Sequence, residues 1–141
     1  MLVRLMYASR AVAAVEPDML AAILKKSRAN NSAGGVTGLL CFSGSIFLQV
    51  LEGGRLAVSK LYNRIAADPR HTDVVLLSYA EITERSFAGW SMGQVNLARL
   101  NPALLLKYSE TAVLDPYAMS GPVSMALLDE LVATASVVGC P

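Results

Sequence analysis

The 141 residues include one histidine, two cysteines and one tryptophan, and each scarcity removes a class of chemistry. With His71 alone, no multi-histidine metal cage can be assembled. Cys41 and Cys140 lie far apart without metal-type spacing, so neither a zinc site nor a disulfide framework is expected. Cys41 falls inside an apolar run and reads as a small core residue. Charge is sparse and balanced, at 16% of residues and a net +1. No basic stripe is visible, which excludes nucleic acid as a main partner.

Long apolar runs are missing too. The longest uncharged stretch, Ala29 to Leu51, is broken by Asn30-Asn31-Ser32, Gly34-Gly35 and Ser43-Gly44-Ser45. That pattern describes a loop and a hairpin, not a membrane span. Met1 to Tyr7 alternates like a strand and runs into Ser9-Arg10, which does not fit a secretion signal. A soluble, cytoplasmic protein is expected. There is no glycine-rich phosphate loop with a lysine, and Gly34-Gly35 lacks the preceding strand of a dinucleotide fingerprint. A Ser-His-Asp hydrolase reading fails on unspecific spacing.

What is present is a chain that is 54% hydrophobic, enough for one domain with a full core. Residues 2–8 read as a strand and Pro17 to about Ala29 as a helix with Met19, Leu20, Ile23 and Leu24 on its apolar stripe. Val36–Phe42 and Ile46–Leu51 form a hairpin. Leu56–Ala67 is a second helix ended by Asp68-Pro69-Arg70-His71, followed by strands at Val74–Ala80 and about Ser91–Leu97. The order predicts an α+β, ferredoxin-like βαββαββ fold, with a mixed five-stranded sheet, two helices on one face and a C-terminal two-helix extension. In that arrangement the first and third strands are neighbours, which places Tyr7 near Gln49. The extension, Pro102 to about Ser109 and Pro122 to Val138, has no Lys or Arg after Lys107. It must bury its stripe against the sheet, another subunit, or both.

Gln49 is the anomaly. It interrupts the apolar strand Ile46-Phe47-Leu48-Gln49-Val50-Leu51 and shares a face with Phe47 and Leu51. A buried amide left unmatched costs about 1–3 kcal/mol, so either protein groups or a bound molecule must satisfy it. Two helices offer a place for such a molecule. From Ile23, Ser27 stands at i+4, Asn30 at i+7 and Asn31 at i+8, so polar groups continue an apolar face. Asp68 lies three residues beyond Ile65, with Arg64 adjacent. This would suit a flat ring held between Ile23 and Ile65, its polar edge reaching Asn31, Asp68 and Arg70. Each residue taken singly has an ordinary reading: Asn30-Asn31 as a helix stop, Asp68-Pro69 as a turn, Tyr7 as a core aromatic, and Trp90 and Met92 as alternating core positions of a strand.

Taken in order, Tyr7-Ala8-Ser9-Arg10, Ser27-Arg28-Ala29-Asn30-Asn31, Gly35-Val36-Thr37-Gly38-Leu39-Leu40, Phe47-Leu48-Gln49-Val50-Leu51-Glu52-Gly53, Asp68-Pro69-Arg70-His71 and Trp90-Ser91-Met92 resemble the BLUF family of blue-light photoreceptors that use FAD. The resemblance covers about residues 2–97. It implies a photosensory domain at 1–98 and an output or oligomerisation extension at 99–141, similar to that of short, single-domain members. It further implies non-covalent FAD between the two helices, with its ring between Ile23 and Ile65 and Asn31 on the flavin carbonyl edge. Asp68 and Arg70 would lie on the pyrimidine side and Arg64 near the phosphates, with Ser27 close to the switch network and Asn30 and His71 at variable positions. Tyr7 and Gln49 match the pair at the centre of the family's photocycle, in which the tyrosine yields an electron and a proton and the glutamine rotates or tautomerises. Trp90 and Met92 are grouped with them, on the strand expected to pass the change to the tail helices. The implied output is a signal to a separate protein, from a homo-oligomer, without an enzymatic domain. Two enzyme readings stand beside it: a small flavin-dependent reductase, for which no nicotinamide motif is visible, and an acylphosphatase-like hydrolase, which leaves Tyr7 and Gln49 without roles.

Overall fold

The computed structural model describes residues 1–13, 16–134 and 137. Along the chain run β1 (Leu2–Ala11), α1 (Pro17–Gly34), β2 (Thr37–Ser43), β3 (Ile46–Gly54), α2 (Arg55–Ala66), β4 (His71–Ile82), β5 (Gly93–Asn96), α3 (Pro102–Leu106) and α4 (Gly121–Ala133). The sheet order is β4-β1-β3-β2-β5, antiparallel except for the parallel β2–β5 pair. This is the mixed five-stranded, ferredoxin-like arrangement expected from the order of elements.

The strand period of two divides the sheet's side chains between two layers. Val3, Leu5, Tyr7, Leu40 and Leu51 join Leu20 and Leu24 of α1 and Val58 of α2. Met6, Leu39, Cys41, Leu48 and Val50 point the other way and join Leu105, Leu127, Leu128 and Leu131 of α3 and α4. The apolar extension therefore buries its stripe on the sheet of its own chain. Leu127, Leu128 and Leu131 are fully buried, each such burial contributing about 1.5–3 kcal/mol. A second tie lies at the far end of β1, where the Tyr117 hydroxyl donates to the Asp73 carbonyl at 2.7 Å and the Arg10 guanidinium sits 4.5 Å above the Tyr117 ring.

Several boundaries differ from expectation: β1 runs on to Ala11 and β3 to Gly54, α3 stops at Leu106, and three further shifts bear on the site. α1 runs past Asn30-Asn31 to Gly34, because Asn31 is buried with its side chain bonded to the Ser91 carbonyl. The stop is instead Gly35, left-handed at φ 72°, followed by Val36, whose N–H reaches the Asn31 carbonyl at 2.8 Å. β4 begins earlier, at His71. β5 begins only at Gly93, so Trp90 and Met92 precede the strand and the alternation assumed for them does not apply. Cys140 and the expected end of the last helix at Val138 lie outside the described residues.

Candidate functional site

Tyr7 of β1 and Gln49 of β3 are direct cross-strand partners, and both point toward α1 and α2. The Tyr7 hydroxyl donates to Gln49 Oε1. Gln49 Nε2 donates to Met92 Sδ at 3.3 Å. Tyr7 is 4% exposed, Gln49 6% and Met92 0%. A thioether is a weak acceptor, so the amide is held firmly on its oxygen side and loosely on its nitrogen side. Burial pushes the Tyr7 phenol well above its usual range, with the neighbouring Tyr62 and Asp68 adding to the shift. Tyr7 therefore keeps its proton at neutral pH. Tyr62 of α2 lies beside it, ring centroids 5.6 Å apart and tilted 57°.

Above this pair a cleft of about 780 Å³, counting its open mouth, separates α1 from α2. Met19 and Ile23 line the α1 side, Leu61 and Ile65 the α2 side, and Tyr7, Ser9, Leu40, Phe47 and Gln49 the sheet side. Helical spacing explains the walls: Met19, Ile23, Ser27 and Asn31 recur every four residues, as do Leu61 and Ile65. The polar rim comprises Ser27, Asn31, Asp68, Arg70 and His71. Arg70 Nη2 donates to Asp68 Oδ2 at 2.6 Å and Arg70 Nε lies 3.0 Å from both carboxylate oxygens. This pairing with Arg70 holds the Asp68 carboxyl down at about 2. His71 Nε2 donates to the Ile65 carbonyl, since a carbonyl can only accept, while Nδ1 faces Ser9 Oγ at 2.9 Å. Both ring nitrogens thus have protein partners, and His71 fixes the end of α2 against β1. Burial pushes the Cys41 thiol up to about 12, as suits an inert core residue.

The cleft gathers Tyr7, Ile23, Ser27, Asn31, Gln49, Ile65, Asp68, Arg70 and His71. Asn30 and Arg64 are exposed and do not line it; each is one helical step, about 100°, from a lining residue. Met92 approaches Gln49 without lining the cleft. Trp90, two residues earlier, is half-buried against the α3–α4 layer, so the two expected strand neighbours part to opposite sides of the sheet. The reading from sequence missed Ser9, Met19, Leu40, Phe47, Leu61 and Tyr62. Ser9 and Phe47 were within reach, standing two positions from Tyr7 and Gln49 on the same strand faces. Met19 and Leu61 stand four positions before the two isoleucines.

Aliphatic walls, a polar rim and an internal tyrosine–amide pair thus meet in one cleft. The model of the BLUF family, sensors of blue light using FAD, matches residues 2–93; the chain belongs to that family. It is 38% identical over 92 residues to the photoactivated adenylate cyclase subunit beta of Euglena longa, covering 64% of this chain and 11% of that protein. The chain thus spans about a tenth of the length of that curated relative. Among solved structures it resembles BlsA in its photo-activated state, with a TM-score of 0.83 and 31% identity over 94% of this chain and 95% of that one. It also resembles BlrB, a BLUF protein in its dark state, with a TM-score of 0.79 and 34% identity over 95% and 96% of the two chains. The reductase reading finds no support in these similarities. Among the described residues, no helix is long and apolar enough to cross a membrane, and no three His, Cys, Asp or Glu side chains gather as a metal site.

Proposed function

We propose that the chain is a blue-light photoreceptor that holds FAD non-covalently in the α1–α2 cleft and signals, without an enzymatic step, to a separate protein in trans. The observation that carries this reading is the buried Tyr7–Gln49 hydrogen bond on the sheet side of the cleft. The residues fit a flavin: Ile23 and Ile65 would clasp the ring, Asn31 would meet its carbonyl edge, and Asp68 and Arg70 would meet the pyrimidine side. Arg64, exposed one residue before Ile65, is the candidate for the phosphates, and Asn30 remains a peripheral contact. When bound, the flavin supplies a blue-absorbing ring that accepts an electron and a proton once excited and returns them on recovery. Tyr7 is the donor of both, its proton already aimed at Gln49 Oε1. The Gln49 amide then has two stable settings. In one, Oε1 accepts from Tyr7 and Nε2 donates to Met92; in the other, the amide is turned and Nε2 donates to the Tyr7 oxygen. Turning the amide gives up the weak Met92 bond and exchanges the Tyr7 bond for one of opposite direction, so the Met92 contact favours the first setting. A cytoplasmic homo-oligomer passing this change to its partner through the α3–α4 layer completes the proposal.

The test is an absorption spectrum before and after blue light. Purified protein should be yellow and show a small, reversible red shift; Tyr7→Phe should keep the flavin and lose the shift. Chromatography of the flavin released on denaturation distinguishes FAD from FMN. Colourless protein, or a wild-type shift in Tyr7→Phe, would overturn the reading.

A further inference from the structure

Among the described residues Glu52 is the one carboxylate that the fold buries, at 0% exposure. It stands on β3 three residues beyond Gln49, and so on the opposite face of the sheet. Its Oε2 accepts from Arg4 Nε at 2.8 Å and from the Ser86 N–H at 3.1 Å, and its Oε1 accepts from the Phe87 N–H at 2.7 Å. Arg4 Nη2 also donates to Ser86 Oγ at 2.7 Å. Two consecutive backbone amides thus converge on one carboxylate and fix the middle of the segment between β4 and β5. The end of that segment is fixed from α1 and β2. Asn31 Nδ2 donates to the Ser91 carbonyl and Arg28 Nε to the Met92 carbonyl, each at 3.1 Å, and the Gly38 N–H donates to the Trp90 carbonyl at 3.0 Å. Between these anchors the segment crosses the plane of the sheet, leaving Trp90 on one side and Met92 Sδ against Gln49 on the other.

We infer that Glu52 is a positioning residue for the light switch: its carboxylate fixes the segment that holds Met92 Sδ on Gln49 Nε2, and so biases the two settings of the Gln49 amide. The inference rests on the switch reading above. The site requires a carboxylate because three donors meet two oxygens. Glutamine, nearly isosteric, brings one oxygen and an NH₂ group that must face the Ser86 or the Phe87 N–H, donor against donor. Glu52 touches neither Tyr7 nor the cleft, so its effect must travel through the segment and Met92.

A double-mutant cycle on the full chain decides this. Glu52→Gln and Met92→Leu should each change the rate of dark recovery in the same direction and by a similar factor, a tenfold change corresponding to about 1.4 kcal/mol in the recovery barrier. Glu52→Gln in the Met92→Leu background should then add almost nothing. A wild-type recovery rate in Glu52→Gln, or two effects that multiply, would overturn the inference. A measurement on the wild type covers the case of a variant that fails to fold: the Ser86 and Phe87 amides should resist hydrogen exchange as β3 amides do, and free exchange would remove the anchor. If the wild type shows flavin but no light-induced shift, the switch reading itself fails, and that outcome is distinct from an unaffected Glu52 variant in a protein that does cycle.

Discussion

Against α3 and α4 the sheet presents Met6, Leu39, Leu48 and Val50 to a layer of leucines that excludes water. Against α1 and α2 the same strands present Tyr7, Ser9 and Gln49 to an open cleft. Neighbouring residues on one strand, Leu48 and Gln49, thus serve opposite purposes. The first face is packed as a core around one fully paired carboxylate, Glu52, and a polar group left unpaired there would bring only cost. The second is open at the cleft, and under the proposed function its polar groups serve the flavin and the switch. Strand alternation allows both on one sheet, since a change on one face leaves the neighbouring face in register.

The comparison breaks most completely at Gln49. Gln49→Leu keeps the volume and removes donor and acceptor; flavin should stay bound through burial between the walls, while the light-induced shift disappears. A surviving shift in the difference spectrum would place the switch elsewhere. On the other face, Leu127→Ala should destabilise the protein by about 2–5 kcal/mol, read by chemical denaturation, with the shift of the folded protein unchanged. A lost shift there would mean that the two faces are not separable. Asn31→Ala should cost about 1–3 kcal/mol of buried hydrogen bonding and weaken flavin retention in dialysis. It removes both the candidate flavin contact and the bond to the Ser91 carbonyl, so dark recovery should change as well. The smallest effect is expected at Ser124, whose buried hydroxyl on α4 has no hydrogen-bond partner among the described residues. Ser124→Ala should be neutral or stabilise by up to about 1 kcal/mol. A clear loss of stability would show that the hydroxyl has a partner that the packing of the tail face does not explain.

The pairing of Tyr7 with Gln49 was legible because it follows from two local facts and one topological rule: both residues lie on apolar, alternating strands, and the βαββαββ order makes those strands neighbours. Of the cleft's aliphatic walls, Ile23 and Ile65 were legible from helical spacing, while Met19 and Leu61, four positions before them, were read only as core stripe. The length of α1 was not, because Asn30-Asn31 is a reasonable stop until Asn31 finds the Ser91 carbonyl, 60 residues away. Trp90 and Met92 were misplaced on a strand for the same reason: side chains of α1 and the carboxylate of Glu52 hold their segment, and its own period does not.

Sequence by itself determined the elements, their order, the face on which each strand residue lies and the family to which the chain belongs, because periodicity and motif spacing are written locally. Only the tertiary structure decided that the apolar extension covers its own sheet, that Met92 meets the Gln49 amide while Trp90 turns away, and that Glu52 is buried on two backbone amides. These outcomes depend on contacts between segments distant in the chain, where the partner that satisfies a polar group is chosen by the packing of the whole domain.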